Sequence, residues 1–348
     1  MASRHFSSKA YWENRCNGFT PKFSFQGQTP KEWTVWNKTA RKALLSCLGP
    51  FPQKVLLSAE TEYSVKDGPV IRERVIFDSE EFASIPAIVL RPTNPSPEKS
   101  LPAILCCHAH GSFGKDTVAG LRSTPEHVSE IDRMNYDYAL QMAKAGFFTL
   151  APDLRGFGER RDKQDISPTR DNCDVNYVKG SILGAFPLTL NIHDMMVCID
   201  YLETRPEVHP EKIGMMGLSQ GGAVTAFTAA LDNRIKAADI IGYVNPWAGF
   251  GLSRGNFCGS QVVPDIYRFL DTHDIAGLIA PRPLLLEMGL YDDCFYFQDL
   301  WKGFEGVQRI YRAAGVEAKL ESDIGTCGHA FVGKQAFNFF SQNLLSKA

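Results

Sequence analysis

The stretch Ile213-Gly214-Met215-Met216-Gly217-Leu218-Ser219-Gln220-Gly221-Gly222 decides how the rest of the chain is read. Residues 213–216 form a short, mainly apolar run, which predicts a strand. From Ser219 to Leu231 the residues predict a helix. Between the two lies the pattern G-x-S-x-G. A strand-to-helix turn this tight leaves room for little beyond a hydrogen beside the serine, hence Gly217 and Gly221. Such a turn pushes the Ser219 hydroxyl out of the sheet at a helix N-terminus. There, free amides and the helix dipole favour a developing oxyanion. The competing reading is a glycine-rich turn with a helix-capping serine.

Working outward, the pattern predicts strands at 72–77, 86–90, 103–107, 147–151, 237–244, 284–288 and 318–322. Helices are expected at 30–48, 134–145, 191–202, 298–314 and 333–345. Alternation of this kind predicts an α/β fold, a mostly parallel central sheet with helices on both faces. Residues 1–54, aromatic and polar with a helix ended by Gly49-Pro50, read as an N-terminal extension packed on the core. Residues 55–348 read as the catalytic domain. Pro92-Thr93-Asn94-Pro95-Ser96-Pro97 is the nearest approach to a linker.

In sheets of this type chemistry collects in loops at the carboxyl ends of strands. A serine needs a base, and His329 follows the last strand, just before the final helix. An acid should orient that imidazole. The loop after 284–288 offers Asp292, three residues beyond Gly289, and the adjacent Asp293; Asp292 is favoured, which gives the chain order Ser, Asp, His. Asp153 also ends a strand and reads as structural, paired with Arg155 or capping its turn. The oxyanion hole needs two amides. One is Gln220, after the nucleophile; the second is placed at His110 in His108-Ala109-His110-Gly111-Ser112, with Ala109 and Ser112 as alternatives. His108 and His110 resemble a metal pair, but no third ligand is evident and no C-x-x-C occurs, so no metal site is expected. Two segments, 160–187 and 245–264, are placed to cover the site, and their aromatics Phe186, Trp247, Phe250 and Phe257 are candidate pocket residues.

The residues GLSQGG at 217–222, HAHG at 108–111, APDLRGFGER at 151–160, APRPLLLEMGLYDD at 280–293 and GHAF at 328–331 resemble the α/β-hydrolase superfamily. The branch they resemble is that of dienelactone hydrolase and acetyl xylan esterase-like serine esterases. The resemblance implies a carboxylic-ester hydrolase acting on short acyl or acetyl esters through an acyl-enzyme, with no cofactor. The dienelactone hydrolases themselves use cysteine, whereas this chain has Ser219 at the elbow. The same triad runs peptidases, thioesterases and C–C bond hydrolases, and a non-catalytic binding member of the fold is the alternative from another class.

Composition narrows the partners. The 348 residues carry 37 basic and 39 acidic side chains, a net charge of −2, with 44% hydrophobic residues. That excludes a disordered chain and gives no pull toward nucleic acid. No run approaches the length of a membrane span. Nine cysteines, an odd number, with no apolar leader at residues 1–16, predict free thiols in a cytoplasmic protein. A small-molecule ester is the expected partner, and the aromatic extension is compatible with a homo-oligomer.

Overall fold

A computed structural model describes residues 4–94, 100–162 and 171–345. Residues 95–97 of the proline-rich connection and 163–170 of the first covering segment lie outside the described residues. The centre is a nine-stranded sheet. Its strands are β1 (Glu60–Asp67), β2 (Val70–Glu80), β3 (Ala83–Pro92), β4 (Leu101–Cys107), β5 (Phe148–Pro152), β6 (Val208–Leu218), β7 (Ile235–Ile241), β8 (Leu284–Gly289) and β9 (Leu320–Gly325). They lie in the order β1-β2-β3-β5-β4-β6-β7-β8-β9. The first three run antiparallel to their neighbours, and β5, β4, β6, β7, β8 and β9 are mutually parallel.

The central strand β4 reads as a continuous apolar run because both of its faces are covered. All seven residues of β4 are buried. Leu101, Ala103, Leu105 and Cys107 face a core shared with Leu188, Ile192, Val224 and Phe227, from the helices Pro187–Thr204 and Gln220–Leu231. Ile104 and Cys106 face the other core, with Tyr138, Met142 and Phe340. Among the described residues no single helix is long and apolar enough to cross a membrane.

The helix Pro30–Leu48 has the boundaries the sequence predicts, with Thr29 and Glu32 closing a capping box. It buries Ala40, Leu44 and Leu48 in the main core, and Arg41 donates to the carbonyl of Leu278 (3.1 Å). Trp36 donates its indole N–H to the Phe23 carbonyl (2.7 Å).

Several elements differ from expectation. The single helix expected at 134–145 is two, Pro125–Met134 and Tyr138–Lys144. Asn135 between them adopts the left-handed conformation that asparagine tolerates and ends the first. Strand β7 stops at Ile241 because Gly242 turns to φ +54. The last helix is shorter than predicted, Ala336–Phe340 followed by a wider turn at Ser341–Leu345. Strand β1, exposed along its whole length, and the helix Asn172–Leu183 were not expected.

Candidate active site

Ser219 stands between β6 and its helix at φ 58, ψ −110, a conformation costly to any residue with a side chain. Close packing enforces it. A Cβ on Gly221 would lie 2.1 Å from the Cys107 carbonyl oxygen, and one on Gly217 would lie 2.5 Å from the Gly221 backbone. The Ser219 amide donates to the Ile241 carbonyl (2.9 Å), tying the elbow to β7.

His329, after β9, and Asp292, after β8, meet beside this turn. His329 Nδ1 lies 2.8 Å from Asp292 Oδ2. The other carboxylate oxygen accepts from the amides of Cys294 (2.8 Å) and Phe295 (2.7 Å), so the buried carboxylate is fixed by backbone as well as by the imidazole. Asp293 makes no such contact; its carbonyl accepts from Arg254 (3.0 Å). The Phe295 ring stacks on His329 at 5.5 Å and on Phe250 at 3.9 Å, a partner that nothing in the sequence flagged.

The loop carrying His329 is held from below by buried acids. Glu287, on β8, accepts from the amides of Val332 (2.7 Å) and Gly333 (3.2 Å), and Asp323 accepts from Gln335 (2.7 Å). Burial pushes Glu287 up to about 8 and Asp239 well above the usual carboxylate range. Both oxygens of Asp239 and one of Glu287 lack a conventional donor, in keeping with the upward shift of both acids toward their protonated forms.

Ser219 and His329 face one cavity of about 430 Å³, together with Ala109, His110, Asp171, Asp174, Phe250, Phe257, Cys258, Cys294 and Phe295. Gln220 is fully buried behind it, its side-chain amide donating to the Ser260 carbonyl (3.2 Å). Two predicted pocket residues are elsewhere. Trp247 is buried in the core, with its indole N–H on the Leu270 carbonyl (3.1 Å). Phe186 packs 6.4 Å from Tyr177 and does not line this cavity. Large aromatics in a glycine-rich segment serve packing and pocket alike, so the sequence cannot sort them.

Of the histidine pair, His108 is buried and accepts from the Leu154 amide (2.9 Å), whereas His110 opens to the cavity. Tyr136 receives the Ala109 amide, and Tyr138 donates to the Cys107 carbonyl; these two tyrosines brace the loop from beneath. Asp153 pairs with the buried Lys115 (2.9 Å), not with Arg155, because Arg155 turns to Asp194 (2.7 Å) and Glu80 (2.6 Å).

The third ligand missing from the sequence is supplied by the fold. His110 Nε2, Cys173 Sγ and Cys258 Sγ all lie within 4.8 Å of one another, from three separate segments, with His110 and Cys173 at 3.3 Å. The Cys258 thiol is drawn down to about 5 by its neighbour Cys173, with His110 and Ser260 adding. No local spacing could have revealed this cluster.

The sequence profile of the dienelactone hydrolase family matches residues 128–343. The chain belongs to that family. As a dienelactone hydrolase family member of the α/β-hydrolase superfamily, it is a carboxylic-ester hydrolase. The Bacillus subtilis protein YtaP, named as a hydrolase, is 29% identical over 257 residues, spanning 72% of this chain and 80% of YtaP. Among solved structures, a Bacteroides fragilis protein described as an acetyl xylan esterase superposes with a TM-score of 0.74 at 20% identity, covering 92% of this chain and 82% of that one. A glucuronoyl esterase from Solibacter usitatus gives 0.64 at 14% identity, covering 93% and 97%. These two likenesses concern the fold.

Proposed function

We propose that the protein is a serine esterase that cleaves small, uncharged carboxylic esters, short acyl or acetyl esters among them. Ser219 acts as nucleophile, His329 as general base and Asp292 as the acid that orients it. The observation that carries this reading is the joint opening of Ser219 and His329 onto one cavity while the far side of the imidazole is held by Asp292 at 2.8 Å.

With Nδ1–H donating to Asp292, the Nε2 of His329 is the acceptor that a serine proton requires. Ser219 Oγ attacks the ester carbonyl as its proton passes to Nε2. The tetrahedral oxyanion is received by the amides of Gln220 and His110. His110 is preferred over Ala109 because the Ala109 amide is already bound to Tyr136, whereas the His110 amide has no acceptor among the described residues. Collapse expels the alcohol, which takes the proton from His329. Water, deprotonated in turn by Nε2, then attacks the acyl-enzyme and restores Ser219.

Substrate class follows from the walls. Among the described residues, Asp171 and Asp174 line the cavity and no lysine or arginine does, so a carboxylated ester would meet repulsion from these two carboxylates. The apolar side, Phe250, Phe257 and Phe295, suits a short acyl or alkoxy group.

The test is Ser219→Ala, assayed on p-nitrophenyl acetate and labelled with a fluorophosphonate. Turnover should fall by about 10³-fold or more and labelling should vanish. Undiminished turnover would remove Ser219 from the mechanism. A parallel screen of thioesters, amides and C–C substrates that gave faster turnover than esters would replace the substrate class.

A further inference from the structure

The side chains of the His110–Cys173–Cys258 cluster, at the rim of the cavity, have no part in ester cleavage as derived above, which uses only the backbone amide of His110. Its three side chains come from the loop after β4, the helix Asn172–Leu183 and the short turn Gly259–Gln261 with its flank. The geometry points to a binding site for one thiophilic divalent cation, zinc by preference, held by His110 Nε2 and the sulfurs of Cys173 and Cys258.

Donor chemistry is the first reason. Two sulfurs and one imidazole nitrogen are the set zinc takes, and magnesium or calcium would demand oxygens. Spacing is the second. Zinc–sulfur bonds of about 2.3 Å and zinc–nitrogen bonds of about 2.0 Å put adjacent tetrahedral donors about 3.5–3.8 Å apart. His110 and Cys173 already stand at 3.3 Å, and all pairs lie within 4.8 Å, so small side-chain rotations close the set.

Charge is the third. Asp171 and Asp174 bring carboxylate oxygens within 4.8 Å of each other and of Cys173 Sγ, which sets negative charge beside the three donors. Asp174 is already oriented, with Oδ1 accepting from the Gly259 amide (2.8 Å). Outer contacts are present too: Cys258 Sγ lies 2.8 Å from Ser260 Oγ and 3.7 Å from Gln220 Oε1. Binding would displace any proton still on either thiol into solvent, with no change of oxidation state.

Such a cation would tie the helix Asn172–Leu183 and the 258–261 turn to the loop bearing His110, across one wall of the cavity. It would act as a structural clip rather than as the agent that activates water, because the proposed nucleophile is Ser219.

Full-length protein, reduced with a phosphine and stripped with chelator, is titrated with Zn²⁺ and separately with Co²⁺. The expected result is one tightly bound ion per chain by elemental analysis after gel filtration, with sulfur-to-cobalt charge-transfer absorption in the near ultraviolet. Cys173→Ser and Cys258→Ser should each weaken binding by more than the roughly 10–100-fold that loss of an outer-shell partner costs, and should reduce that absorption. Cys47→Ser, a thiol remote from the cluster, should change neither. A reduced protein that takes up no stoichiometric ion overturns the proposal. So do cysteine variants that bind as tightly as the parent, and so does a Cys173–Cys258 disulfide whose reduction yields no metal uptake. None of these readouts depends on esterase turnover.

Discussion

The Asp292–His329 contact can be tested by changing one atom. Asp292→Asn keeps the shape of the side chain and leaves an oxygen facing the amides of Cys294 and Phe295, which the Oδ1 of Asp292 binds at 2.8 and 2.7 Å. Those two bonds survive, so the loop should hold its place. The change falls on the third bond. An amide N–H now faces Nδ1 where Oδ2 stood at 2.8 Å. Nδ1 must become the acceptor, the ring proton moves to Nε2, and Nε2 can no longer receive the proton of Ser219. A tautomer inverted in this way costs about 10⁴-fold in kcat, or about 5.4 kcal/mol in the barrier. The neighbouring Asp293→Asn should change kcat by less than about twofold, because among the described residues its backbone carbonyl, not its side chain, carries the hydrogen bond. Steady-state hydrolysis of p-nitrophenyl acetate, with melting curves to confirm that both variants fold, reads the contrast directly. Asp292→Asn activity within about tenfold of the parent, or an equal loss in Asp293→Asn, would refute the assignment of the acid.

Two further outcomes follow. Glu287 binds its proton more tightly in the folded state than when unfolded, its value rising to about 8 through burial. Its contribution is therefore fully present below about pH 4.5 and is lost as pH climbs to 8, so unfolding free energy should fall across that window at up to about 1.4 kcal/mol per pH unit. Glu287→Gln, which mimics the protonated acid, should flatten the slope in urea titrations at pH 5, 6.5 and 8; an unchanged slope would place its source elsewhere. Gly221→Ala drives a methyl group to 2.1 Å from the Cys107 carbonyl oxygen and 2.8 Å from that of His108, backbone that cannot rotate away as a side chain would. It should cost about 1–3 kcal/mol or more and abolish fluorophosphonate labelling, and a variant with parental melting and labelling would show that the elbow is looser than its packing implies.

How much of this was legible beforehand depends on whether the signal is local. The elbow, the buried inner strands and the order Ser219, Asp292, His329 are written in short windows: mainly apolar runs precede the first two, and His329 is marked by its place between the last strand and the final helix. Strand β1 carries no such run: all eight of its residues are exposed, and its pairing to β2 is decided by backbone hydrogen bonds that leave no mark in composition. The break at Asn135 hides inside a stretch with helical spacing because one left-handed residue does not disturb the apolar period on either side. Phe295 and the His110–Cys173–Cys258 cluster were invisible for another reason: their meaning lies in what is adjacent in space, and each member alone reads as packing. Trp247 and Phe186 show the reverse error, aromatic residues assigned to the pocket by proximity in sequence that do not line the Ser219 cavity.

The backbone at Ser219 sets two requirements at odds. At φ 58, ψ −110, the residue best suited to the turn would have no side chain at all, and glycine would relieve a strain of about 1–3 kcal/mol. The chemistry proposed for the position requires a hydroxyl. Drift under selection for stability alone would thus lead away from serine, and a lineage that ceased to need the reaction would gain robustness by losing it. Ser219, held between Gly217 and Gly221, thus trades that much stability for a hydroxyl placed at the cavity.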